Sequence, residues 1–61
     1  MKYQQGDRVE VFHQKTLPSF NGHRGTVSHY KGRKVVVYLD RIAFGKQVLV
    51  MPERKFRLVG G

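Results

Sequence analysis

The chain has 61 residues, enough for one domain, and a domain of that size buries only about 60% of the surface its unfolded chain exposes. It contains no cysteine, and His13, His23 and His29 fall at no recognised metal-ligand spacing, which excludes disulfides and cysteine-based metal sites and leaves no metal or cofactor to expect. Twelve Lys and Arg against four Asp and Glu leave a net charge of +8, a field that suits RNA, DNA, anionic lipid or an acidic protein face, and also a surface kept basic for solubility.

Residues 1–5 are polar and read as a short flexible start. They do not resemble a signal peptide, and no apolar run approaches the ~20 residues of a membrane-spanning helix, so a cytoplasmic or stromal-type setting is expected. Gly6-Asp7 turns the chain into a first strand in which Val9 and Val11 alternate with Arg8, Glu10 and Phe12, the period of a strand with one covered face. No period holds from His13 to Asn21. Pro18 and Asn21-Gly22 mark that stretch as an irregular loop, although Leu17 and Phe20 are too apolar to be explained by solvation alone.

Gly25 opens a second strand, Thr26 to Tyr30, with Val27 and His29 on one face and Thr26, Ser28 and Tyr30 on the other. Lys31-Gly32-Arg33 is a short turn centred on glycine. Lys34 to Leu39 is the most β-prone stretch, with Val35, Val37 and Leu39 facing opposite to Val36 and Tyr38. Asp40 to Lys46 reads as a second exposed loop carrying Arg41, Phe44 and Lys46. Gln47 to Met51 is a fourth strand ended by Pro52, which has no N–H for a ladder. Pro52 to Lys55 is long enough for one 3₁₀ turn, and Phe56 to Val59 is a short last strand before Gly60-Gly61.

No segment has a helical period, so the expected fold class is all-β, with four to five short antiparallel strands in a single domain. Curling these strands into a small barrel buries Val9, Val11, Val27, Val35, Val37, Leu39, Val48, Val50 and Leu58 together, and a barrel is therefore the expected architecture.

The segments Gly6 to Val11, Ser19 to Val27 and the valine-rich strand after them, with the later Phe44-Gly45-Lys46 followed by Val48 and Val50, resemble a KOW motif in an SH3-like barrel, as in the KOW domain of NusG-type elongation factors. This resemblance spans Gly6 to Val59. It implies ribosomal RNA, other nucleic acid, or proteins of transcription and translation as partners. The run Val35 to Gly45, with Phe56-Arg57-Leu58, is similar to the small SH3-like ferredoxin-docking subunit of photosystem I, which implies an acidic protein partner instead.

Arg24, Arg41 and Lys46 form one expected set of binding cations, bordered by Phe20 and Phe44, and Lys31, Arg33 and Lys34 at the hairpin tip form another. An exposed turn needs polar residues in any case, so the tip cations have a purely solvating reading beside the functional one. Tyr30 and Tyr38 are expected to face outward, either as rings on which bases stack or as a cross-strand pair that stiffens the sheet. Phe12 and Phe56 read as core, Gly25 as the least replaceable residue, and His29 as a partly buried neighbour of Val27.

No histidine is evidently paired with a carboxylate, and Asp7, Glu10, Asp40 and Glu53 each have a structural reading, so no catalytic residue is expected. Three functions remain open: a module that binds RNA or other nucleic acid, a domain that docks an acidic protein such as ferredoxin, and a structural subunit of a larger complex.

Overall fold

The computed structural model describes residues 2–15 and 19–60. The expectations for Leu17 and Pro18 lie outside the described residues. Five strands, β1 (Arg8–Val11), β2 (Arg24–Lys31), β3 (Lys34–Ala43), β4 (Lys46–Pro52) and β5 (Phe56–Leu58), form one antiparallel sheet in the order β4-β3-β2-β1-β5, with a 3₁₀ turn at Glu53–Lys55. Although β3 extends into the expected loop Asp40 to Lys46, the all-β class, the order of the strands and the 3₁₀ turn agree with the sequence. The barrel does not.

β4 and β5 are the two edges of the sheet and no ladder joins them, so the sheet is open. The apolar face is covered from outside the central strands instead. Tyr3 of the expected flexible start is buried, and its hydroxyl donates to the Phe56 carbonyl at 2.7 Å. Phe20 from the loop after β1 joins the same cluster, with Val9, Val11, Val27, Val35, Val37, Leu39, Ala43, Leu49 and Phe56. Capping segments thus supply the cover that closure of a barrel would have given.

Three further expectations change. The four consecutive apolar residues Val48 to Met51 carry no alternation, and the face of β4 that meets the core is the one with Leu49, 4% exposed; Val48 and Val50 are 42% and 40% exposed. Leu58 is likewise outside, at 56%, because Phe56 is the residue of β5 that enters the core. In β2, the pairing passes from Val27↔Val37 to His29↔Val36, leaving Ser28 as a bulge. The bulge inverts the faces beyond it, so His29 is exposed and Tyr30 packs against the core.

The second loop is the third change. β3 continues to Ala43, which pairs with Lys46 across a two-residue turn, Phe44-Gly45. Positive φ at both central residues, 52° and 75°, is the geometry of a type I′ hairpin, whose twist matches that of the strands it joins. Between Tyr38↔Val48 and Ala43↔Lys46, β3 runs on further than β4, and the extra residues, with Ile42 exposed among them, take up the irregularity. At the other hairpin, Gly32 has φ 63° and Arg33 does not have positive φ, the pattern of a type II′ turn between Lys31 and Lys34.

Gly25 sits where backbone passes closest to backbone. A Cβ there would press on the Tyr38 carbonyl and stand 2.8 Å from Val37 Cγ1. Its lack of a side chain is what lets β2 lie flush on β3 at this register.

Candidate nucleic-acid interface

All four acidic residues are committed within the fold. Asp7 Oδ2 accepts from the Gln4 N–H at 2.9 Å and closes the turn before β1. Glu10, on the outer face of β1, takes Arg57 at 2.7 Å from the neighbouring β5 and Arg24 at 3.5 Å from β2. Asp40 binds Arg8 at 2.5 Å, and Arg8 also donates to Thr26 Oγ1. Glu53 accepts from the Tyr30 hydroxyl and from the Lys2 backbone N–H.

These contacts set the charge state of the acids. Arg57 beside Glu10 and Arg8 beside Asp40 hold both carboxyls below the usual range, and the hydrogen bond from Tyr30 does the same for Glu53. Desolvation, and then the Glu53 carboxylate, push the Tyr30 hydroxyl up.

Arg8, Arg24 and Arg57 therefore share Glu10 and Asp40, and the other nine cations have no carboxylate within 4 Å of the side-chain nitrogen among the described residues. Lys31, Arg33, Lys34, Arg41 and Lys46 belong to this second group, and all are exposed. The domain thus presents several exposed basic residues on a small sheet, a surface suited to a charged partner.

The expected site residues divide between the two ends of β3. Lys31, Arg33 and Lys34 surround the β2–β3 turn at one end. At the other, the Phe44-Gly45 turn lies next to Lys46. Phe44, 60% exposed, meets the buried Phe20 edge-on with centroids 5.2 Å apart, and Phe20 in turn lies 6.3 Å from the His23 ring. A cleft of about 270 Å³ beside them is lined by Gly22, His23, Arg24, Asp40 and Arg41. The structure brings Arg24, Arg41, Lys46, Phe20 and Phe44 to one end and leaves the Lys31-Arg33-Lys34 tip apart from them.

Tyr38 is 54% exposed on the outer face, directly opposite Val48. Tyr30 is not available as a partner for it, contrary to expectation, because its ring packs on the core and its hydroxyl accepts from the Tyr3 N–H at 3.0 Å and donates to Glu53. His23 joins the site without a signal in the sequence beyond its place after Asn21-Gly22. Among the described residues, no three His, Cys, Asp or Glu side chains are grouped to hold a metal ion, and no helix is long and apolar enough to cross a membrane.

No family profile, curated protein or solved structure matches this chain. The resemblances to KOW domains and to the photosystem I subunit are accordingly not sustained, and the open sheet removes the SH3-like barrel on which both depended.

Proposed function

We propose that the protein is a non-catalytic module that binds single-stranded nucleic acid, RNA foremost, at the end of the sheet carrying Phe44, Arg41, Lys46 and Arg24. The observation that carries this reading is Phe44 itself. A bulky residue with φ 52° costs about 1–3 kcal/mol of local strain, of which the edge-on contact with Phe20 offsets a part, and 60% of the residue stays exposed. Asn-Gly would make the same turn without strain. A strained, exposed ring beside Arg41 and Lys46, neither of which has a carboxylate within 4 Å among the described residues, is suited to stack on a base while the cations neutralise the backbone around it.

The test is a titration of labelled single-stranded RNA and DNA, on the order of ten nucleotides long, at several salt concentrations. Affinity that falls linearly with log salt and drops on Phe44→Ala supports the reading. Absence of binding at low salt ends it.

The exposure of Ile42, at 68%, favours a second reading, in which Ile42 and Phe44 form an apolar spot ringed by Arg41 and Lys46 that docks an acidic protein. An acidic protein retained by the immobilised domain after nuclease treatment supports that alternative. Retention that disappears with the nuclease rejects it.

A further inference from the structure

Only two non-glycine residues among those described have positive φ, and the second is His13, at 62°. It lies just after β1, where its ring stands edge-on to Phe12 at 4.4 Å and its carbonyl accepts from Lys55 Nζ at 3.1 Å. The Phe12 N–H donates to the Lys55 carbonyl at 2.8 Å, so the loop and the 3₁₀ turn are tied together in both directions. Gln14 is fixed as well: its N–H donates to Asn21 Oδ1 at 3.0 Å, its carbonyl accepts from Asn21 Nδ2 at 2.9 Å, and its Oε1 accepts from the Phe20 N–H at 2.5 Å.

These ties hold open a cleft of about 400 Å³, lined among the described residues by His13, Lys15, Arg54 and Lys55. Among the described residues, no carboxylate lines it. Glu53, next to Arg54, is turned away to the Tyr30 hydroxyl and the Lys2 N–H. Three cations around one concavity repel one another, and with no acid among the described residues that line it, an added anion would relieve them. A tetrahedral anion with several acceptor oxygens suits ammonium and guanidinium donors that line one concavity.

We propose that this cleft is a phosphoryl-binding site, distinct from the Phe44 end and, on the nucleic-acid reading above, occupied by a phosphate of the bound strand. His13 and Lys15 stand at the start of the loop after β1, whereas His23 at its finish and Arg24 at the start of β2 line the other cleft. The same loop therefore places a cationic concavity on each of its flanks.

The experiment uses the whole chain labelled with ¹⁵N. Inorganic phosphate is added against chloride at constant ionic strength, followed by oligoribonucleotides with a 5′-phosphate or a 5′-hydroxyl. The amides of His13, Arg54 and Lys55 shift and saturate with inorganic phosphate, while those of Lys31 and Arg33 stay in place. Arg54→Gln, at an exposed position, keeps a folded spectrum and weakens phosphate binding about three- to tenfold, with Lys15→Gln as the second variant should Arg54→Gln not fold.

Shifts that fail to saturate, or that spread evenly over all exposed cations, overturn the proposal. A preference for the 5′-phosphate strand that Arg54→Gln abolishes assigns a terminal phosphate, and equal binding weakened for both strands assigns an internal phosphodiester. Saturation by inorganic phosphate with neither strand bound upholds the cleft and rejects the nucleic-acid reading. Strand binding that leaves the cleft amides unmoved and is unaffected by Arg54→Gln rejects the cleft alone.

Discussion

The exposed ring of Phe44 stands edge-on to the buried ring of Phe20, centroids 5.2 Å apart and planes at 87°, which anchors the hairpin tip to the core. An aromatic pair of this kind contributes about 0.5–1.5 kcal/mol, which offsets part of the strain at positive φ. Phe44→Asn relieves the strain and removes the pair, so stability changes by no more than about 1 kcal/mol by urea denaturation. RNA affinity in the same variant falls by about 1–3 kcal/mol, the contribution of one stacked base. A variant that binds as before removes Phe44 from the interface.

The two ends of β3 separate the cations into groups that salt dependence distinguishes. Replacing Arg41 and Lys46 together by Gln reduces the slope of log affinity against log salt by about 0.7 for each phosphate no longer neutralised, as expected for a single strand. The paired change Arg33→Gln with Lys34→Gln, at the opposite end, leaves a smaller effect. Equal effects from both pairs indicate a diffuse field in place of a located site.

Gly25→Ala places a methyl group against the Tyr38 carbonyl and Val37. Backbone on the facing strand has little room to yield, so the variant is destabilised by about 3 kcal/mol or more, at the upper end of overpacking effects, and a chain of 61 residues is largely unfolded by that change. Circular dichroism at room temperature reads this directly. A Gly25→Ala protein with unchanged melting refutes the tight approach of β2 to β3.

The orientation of β4 is tested by two neighbours. Leu49→Ala opens a cavity in the core and costs about 2–5 kcal/mol. Val48→Thr, on the outer face, costs no more than about 0.5 kcal/mol. The reverse order of effects puts the opposite face of β4 inside.

Stability depends on pH through groups shifted in both directions. Glu10, Asp40 and Glu53 have folded pKa values below their unfolded ones, so their contribution is full above about pH 4 and is lost as pH falls through the lower folded values. Tyr3 and Tyr30 are raised, so theirs is full below about pH 10 and is lost as pH rises beyond it. Melting temperature against pH shows a plateau with a fall on each side, and Glu53→Gln shallows the acid limb.

Much of the architecture is legible in short stretches of the chain. The alternation of Val9 with Val11, the valine-rich run from Val35, the glycine turns and Pro52 are each read within a few residues, and the structure has strands, turns and a 3₁₀ turn there. The charge at the Phe44 end is legible in the same way, because Arg41 and Lys46 flank their turn in sequence. Val48 to Met51 is not: with four apolar residues in a row, either face of β4 satisfies the pattern.

The amino-acid sequence by itself determined the local conformations and the excess of positive charge, since strand period, turn geometry and formal charge depend on residues close along the chain. Tertiary structure decided what depends on pairing. The bulge at Ser28 turned Tyr30 inward toward Glu53, the capping of one face by Tyr3 and Phe20 left the sheet open, and the contact of Lys55 with His13, 42 residues apart, assembled a basic cleft that no local pattern encodes. Partners so distant in sequence meet only when the register of every intervening strand is set, and that register follows from which side chains fill the core.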